Sequence, residues 1–194
     1  MCHQAGYNRI EYVGIAPKLN KLGYNCLAID QRSGGAFAEK QNKTAVKAKE
    51  MSLNAEMIDA QQDISAAIDY LNKKFNKKVI LFGSSYSASL VLLEGNSNEK
   101  VSAVIGFSPG DYFENKAPSL ATVFSNIEKP YLITSSKAEA EVLTTLIEFG
   151  KQGENQKQFI PEIEGYHGAK VLWEGQKGAE EYWAVIHDFL QQIK

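Results

Sequence analysis

The sequence predicts an α/β fold, a three-layer sandwich built on a mainly parallel sheet. Three observations predict it. Short apolar runs of strand length recur at 24–30 (YNCLAID), 79–82 (VILF), 101–107 (VSAVIGF), 131–134 (YLIT) and 158–163 (QFIPEI). Most of them lack the polar alternation of a half-exposed strand, so they read as strands buried on both faces. Between them lie stretches whose apolar residues return at steps of three and four, the signature of an amphipathic helix. Strands alternating with helices in this way imply parallel pairing through right-handed crossovers, with helices on both faces of the sheet.

Taken in order, a helix fits 11–22, ending before Gly23, and the first strand run follows it. The lysine-rich segment 39–49 holds almost no large apolar group and reads as a solvated excursion, with at most a frayed helix end. Leu53, Met57, Ala60, Ile64, Ile68, Leu71 and Phe75 share one face, which predicts a helix over 53–75. After the second strand run a helix fits 86–94 before Gly95, and after the fourth another fits 138–149 before Gly150. Glycine commonly follows a helix because it accepts the left-handed backbone of a C-cap. A last helix fits 179–193.

With 194 residues, 44% of them hydrophobic, the chain suffices for one sizeable core, and a single domain over 1–194 is expected. A net charge of -2 and a pI near 6.0 provide no field for phosphate backbones, and no aromatic and basic residues interleave, so nucleic acid is not expected as a partner. No apolar run is long enough to span a bilayer, and the first residues lack the basic and apolar regions of a secretory signal. A cytoplasmic protein with no membrane partner is expected, with self-association into a homo-oligomer left open. Cys2 and Cys26 have no C-x-x-C spacing and read as ordinary thiols.

The candidate chemistry centres on Gly83, Ser84, Ser85, Tyr86 and Ser87 (GSSYS), which follow the strand VILF directly and open a helix. Small residues two before and two after a serine let the chain turn sharply from strand to helix and expose the hydroxyl, the arrangement of a nucleophile elbow. The plainer reading is a serine that caps a helix. A serine hydroxyl needs a base to become nucleophilic at neutral pH, and the base needs a partner to orient it. Of the three histidines, His187 falls within the last helix, whereas His167 lies in Gly165–Gly168 (GYHG), a loop beyond a strand, where ligands gather in such sheets. For the orienting acid, Glu139 stands just after the strand YLIT; its plainer reading is an acid at a helix N-terminus, and Asp111 and Glu141 are the alternatives. The order Ser, acid, His along the chain is that of one large group of serine hydrolases.

These residues carry a family resemblance that runs over nearly the whole chain. HQAGYNRIEY, KLGYNCLAIDQRSGG, GSSYS, KPYLITSSKAE, GYHG and the closing helix together resemble the α/β-hydrolases of the dienelactone-hydrolase and small-esterase kind. In that family an HQxG or HGxG loop supplies part of an oxyanion hole, and His3, Gln4, Ala5 and Gly6 match it. The resemblance implies that backbone N–H groups of Gln4 or Ala5, together with that of Tyr86, hold the developing oxyanion. It places Glu139 where the family's acid falls, although aspartate is commoner there. Asp30, Arg32, Ser33, Gly34 and Gly35 resemble a scaffold turn. True dienelactone hydrolases use cysteine where this chain has Ser85, which points away from that substrate and toward other acyl compounds, esters first.

Two features depart from the pattern. The family places strands before the HQxG loop, and here only Met1 and Cys2 precede His3. The run YNCLAID is therefore expected to face a gap, to be closed by re-pairing, by a partner chain or by residues lost through truncation, the last being favoured. The segment 108–128, where lids are inserted in this fold, is short, which implies an open site and small substrates. Tyr112 and Tyr166 are candidates to line it. The expected function is a serine hydrolase for small-molecule esters that needs no metal and no cofactor; the competing readings are a non-catalytic module of the same fold and a peptidase.

Overall fold

The computed structural model describes residues 1–150 and 153–194. Its sheet has four parallel strands, β1 (Val79–Ser84), β2 (Val101–Phe107), β3 (Tyr131–Thr134) and β4 (Gln156–Phe159), lying side by side in chain order. Each neighbouring pair is joined by a helical crossover: α4 (Tyr86–Ser97), α5 (Leu120–Asn126) and α6 (Lys137–Ile147). Crossovers of one hand between strands added in one direction must fall on one face, and these three do. With α3 (Gln61–Phe75) they bury Ile64, Ile68, Leu90, Val123, Phe124, Leu143 and Ile147 against that face. On the other face, α1 (Ala16–Lys21) and α7 (Ala179–Gln192) bury Leu19, Tyr182, Ile186, Phe189 and Leu190.

Strand β2 explains why the runs read as unbroken apolar stretches. Val104 enters the first core, while Ala103, Ile105 and Phe107 enter the second, so the alternation of the pleat finds apolar surroundings on both sides. Strand β1 divides in the same way, with Leu81 on one side and Phe82 on the other. Each such side chain contributes roughly 1.5–3 kcal/mol of burial free energy, and each sits between layers that must both be present.

Several expected boundaries move. The helix expected over 53–75 begins as a 3-10 turn at Ile58–Ala60 and becomes α-helical only at Gln61. Ser52 takes a left-handed φ of 52°, and the Asp59 carboxylate accepts the Glu56 N–H at 2.9 Å, so a turn occupies the predicted first turns and leaves Leu53 and Met57 exposed. The lysine-rich excursion contains a regular helix, α2 (Lys43–Glu50), started by Asn42, whose side chain accepts the Ala45 N–H at 2.8 Å. The helix expected over 11–22 divides into a 3-10 turn at Arg9–Tyr12 and α1, which Pro17 helps to start. Gly95 is an interior residue of α4, where a Cβ would meet Val104 at 2.4 Å, so it permits close helix–sheet contact and does not end the helix.

The run YNCLAID forms no regular strand. Its one ladder contact is Ile29, bridged to Cys2, which is bridged in turn to Gly83 of β1. Cys2 donates to Phe82 O at 2.8 Å and accepts from Ser84 N at 3.0 Å, while Met1 O accepts the Ile29 N–H at 3.2 Å. Met1 and Cys2 thus occupy one end of the expected gap. Toward the other end the walls separate into a groove of about 350 Å³ between Tyr24, Asn25 and Leu27 on one side and Val79, Ile80 and Phe82 on the other. Both cysteines are free thiols. No helix among the described residues is long and apolar enough to cross a membrane.

Candidate active site

Ser85 stands where β1 turns into α4, at φ 57° and ψ -131°, a left-handed conformation that a non-glycine residue adopts only under constraint. The constraint is local. Ser85 N–H donates to Phe107 O on the neighbouring strand at 2.7 Å, and Ser85 O accepts the Ala88 N–H at 2.7 Å. The flanking small residues are required by contact. A Cβ on Gly83 would lie 2.6 Å from Ser87 O and 2.7 Å from Ala88 Cα, and the Ser87 hydroxyl donates to His3 O at 2.6 Å. Tyr86 opens α4, so its backbone N–H has no acceptor within the helix. Its ring is fully buried and its hydroxyl pairs with Ser33 at 2.7 Å.

His167 lies between β4 and a 3-10 turn at Ala169–Leu172, and its Nε2 stands 2.8 Å from Ser85 Oγ. Its Nδ1 is hydrogen-bonded to Glu139 Oε1. Glu139 is the third residue of α6, and its other oxygen accepts the Ser136 N–H at 3.1 Å, the Ser136 hydroxyl at 2.6 Å and the Ser108 hydroxyl at 2.9 Å. The two roles weighed for Glu139, helix-start acid and histidine partner, are thus filled by separate oxygens. Partial burial pushes its carboxyl up, but the hydrogen bonds from His167, Ser136 and Ser108, with the charge of His167, outweigh this and hold it at about 2. The imidazole keeps 42% of its side-chain surface exposed while Ser85 is buried, so a ligand reaches the pair from the imidazole side.

The alternatives for the acid lie elsewhere. Asp111 accepts the Leu120 N–H at 2.6 Å, and Glu141 is exposed on α6. His187 is exposed on α7. His3 is fully buried with both ring nitrogens engaged, Nδ1 with Gln4 O at 2.9 Å and Nε2 with Gln31 N–H at 3.0 Å; it holds the scaffold turn against its own loop.

The loop that follows His3 corrects one expectation. Tyr7 N–H returns to Gln4 O at 3.2 Å, closing a turn in which Gly6 takes a φ of 74°. Gln4 N–H is not available to a ligand, because it donates to Glu11 Oε2 at 2.8 Å. Of the two expected donors, Ala5 is the one that remains. Tyr112 lies beside the site, its hydroxyl donating to Ser108 O at 3.0 Å and interacting with Ser85. Tyr166 stays 39% exposed and carries Lys170 Nζ over its ring at 5.4 Å.

Three contributors carry no readable signal in the sequence: Ser108, Ser84 and Glu11. The Ser108 hydroxyl accepts Gly168 N–H at 3.0 Å while donating to Glu139, so it fastens the Glu139 and His167 loops together. Ser84 Oγ accepts Ala169 N–H at 2.8 Å. Among the described residues, no group of His, Cys, Asp or Glu side chains is arranged to hold a metal ion.

Solved structures with the same fold include an esterase from Pyrococcus furiosus, 18% identical, with a TM-score of 0.71 over 98% of this chain and 79% of that one. A monoacylglycerol lipase from Paleococcus ferrophilus is 16% identical, with a TM-score of 0.68 over 100% of this chain and 93% of that one. An esterase domain from a Rhodothermus marinus protein, 16% identical, matches with a TM-score of 0.55 over 69% of each chain. At these identities the likeness shows the α/β-hydrolase fold alone. A search of curated proteins finds no match. The model of the dienelactone hydrolase family matches residues 3–193, from the loop that holds Gln4 and Ala5 to the end of the last helix. The chain therefore belongs to the dienelactone hydrolase family.

Proposed function

We propose that this protein is a serine esterase acting on small acyl esters, with Ser85 as nucleophile, His167 as general base and acid, and Glu139 as the group that orients His167. The observation that carries the reading is the continuous contact from Ser85 Oγ through the imidazole to Glu139 Oε1, with Ser85 held on a constrained turn. In the first half-reaction Ser85 Oγ attacks the ester carbonyl and His167 Nε2 takes its proton. The tetrahedral intermediate collapses as His167 returns that proton to the departing alkoxide, leaving an acyl-enzyme and a free alcohol. Water then attacks the acyl carbon, gives its proton to His167, and the acid leaves as Ser85 recovers its hydrogen. Glu139 fixes the tautomer that presents Nε2 to Ser85 and stabilises the imidazolium between steps.

The oxyanion in both intermediates is assigned to the backbone N–H groups of Tyr86 and Ala5. Donors aimed at charge that exists only in the transition state act on kcat more than on KM. Tyr112 and Tyr166 flank the acyl or alcohol portion of the substrate. The short segment between β2 and β3 supports a preference for short-chain esters. The test is labelling with a fluorophosphonate together with hydrolysis of p-nitrophenyl acetate. The folded protein is expected to form an adduct on Ser85 and to turn over, and Ser85→Ala to do neither; a folded protein with no adduct on Ser85 overturns the reading.

A further inference from the structure

We propose that Glu11 is a positioning residue for this hydrolysis, its single buried carboxylate locking the 3–6 loop, the residue before the nucleophile and the His167 loop into one arrangement; the inference rests on the esterase reading above. Glu11 ends no strand and faces no solvent: it is fully buried within the 3-10 turn at Arg9–Tyr12. Oε2 accepts Gln4 N–H at 2.8 Å and Oε1 accepts the Gln4 side-chain amide at 3.3 Å, while the Ser84 side chain lies near enough to the carboxylate to favour its charge. Ser84 is in turn tied to the His167 loop, since its oxygen accepts Ala169 N–H, two residues beyond His167. The Gln4 amide and Ser84 Oγ both crowd Gly168, lying 3.7 Å and 2.6 Å from where a Cβ would stand, which fits that glycine's φ of 72°. Glu11 is itself fixed, its carbonyl accepting the Trp173 indole N–H at 2.8 Å and its N–H donating to Asn8 O at 3.1 Å.

The donors that converge here suit only an ionised group. A carboxylate accepts through both oxygens, whereas a carboxylic acid must donate from one of them, and the Gln4 N–H and Gln4 amide face it as donors. A glutamine has the same defect. Protonation turns one oxygen into a donor and so weakens at least one of these connections, both of which run to Gln4, one residue before the Ala5 donor. Burial pushes the Glu11 carboxyl up to about 7, against the hydrogen bonds from Gln4 and Ser84 and the charge of His167, which pull it down. The titratable groups facing it are His167, whose imidazolium favours the carboxylate, and Tyr12, a buried phenol held neutral that donates to Cys2 O at 2.7 Å. The free enzyme then needs a deprotonation at Glu11, so that the loops hold, beyond what proton acceptance at Ser85 requires.

The experiment is the pH dependence of kcat/KM for p-nitrophenyl acetate between about pH 5 and pH 9, which reports ionisations of the free enzyme. For the wild type, the acid limb of the logarithmic plot is expected to approach a slope of about 2. Glu11→Gln is expected to reduce the slope to about 1 and to lower kcat about tenfold at alkaline pH, with KM changed less than about twofold. A wild-type slope of about 1, or a Glu11→Gln enzyme with wild-type kcat and slope, overturns the proposal. If Glu11→Gln does not fold, Glu11→Asp, which keeps the charge, takes its place and is expected to keep a slope of about 2; a slope of about 1 there overturns the proposal. Fluorophosphonate labelling separates the two layers: adduct and turnover with a slope of about 1 overturn the role of Glu11 alone, whereas no adduct and no turnover overturn the esterase reading and this inference with it.

Discussion

Glu139 meets His167 with one carboxylate oxygen and keeps the other for the start of its own helix, where Ser136 and Ser108 donate to it. Removing the charge and removing the side chain therefore have different consequences. Glu139→Gln keeps an oxygen for the helix start but no longer imposes the tautomer, and kcat for p-nitrophenyl acetate is expected to fall by roughly 10² to 10⁴ with KM little changed. Glu139→Ala is expected to lose the same activity and a further ~1 kcal/mol of stability, read from a urea titration.

The same carboxyl links stability to acid. Its folded value of about 2 lies below its ordinary 4.5, so its contribution is fully present above pH 4.5 and disappears as the pH falls toward 2. Glu11 has the opposite sign: raised to about 7, its carboxyl favours folding most below pH 4.5 and loses that contribution as the pH rises through 7. Melting temperatures across pH are the measurement. The difference between wild type and Glu139→Gln is expected to close on acidification, and the difference between wild type and Glu11→Gln to move toward the variant as the pH rises.

The backbone at Ser85 holds a strained conformation that the proposed chemistry uses and that costs stability. Ser85→Ala is expected to end hydrolysis with a melting temperature near that of the wild type. Ser85→Gly is expected to end it equally and to stabilise by about 1 kcal/mol, since glycine accepts a φ of 57° freely. Equal melting of the two variants would count against strain at this turn.

At Gly83 a Cβ would meet two backbone atoms, Ser87 O and Ala88 Cα, and the buried Val91 Cγ2. Gly83→Ala is expected to cost roughly 1–3 kcal/mol by overpacking and to lower kcat by shifting Ser85. Denaturation midpoint and turnover are both read on the purified variant; a wild-type midpoint would show that the elbow tolerates a side chain here.

The sequence was most legible where local pattern and tertiary surroundings agree. The run VSAVIGF carries only one polar side chain, Ser102, because both faces of β2 are covered, so its reading needed no partner to be known. YNCLAID is also mostly apolar, yet a strand exists only when a neighbour supplies its ladder, and Cys2 offers one bridge. Leu53 and Met57 are in phase with Ile64 and Ile68, but periodicity reports a common face and says nothing of the turn that Ser52 and Asp59 impose. At the site, Ser85 and His167 announce themselves through small neighbours and loop position, and Glu139 through its place after β3. Ser108, Ser84 and Glu11 act through hydrogen bonds between segments remote in sequence. Serine and glutamate are common enough that nothing in their immediate neighbours marks such a role.

The insertion of Met1 and Cys2 between Ile29 and Gly83 sets an order of assembly. Strands β1 to β4 each pair with the next one in the chain, through loops closed at modest entropic cost, whereas Cys2 must find residues far along the sequence that are already in place. Its ladder bonds are few, but Tyr12, Ile15 and Leu19 anchor the first segment in the core it shares with α7, and the Trp173 indole bonds to Glu11 O. Gln4, Ala5 and Glu11 lie on this segment, whereas Ser85, His167 and Glu139 follow the strands of the sheet. The two halves of the proposed site are therefore brought together by docking onto the second core more than by the ladder.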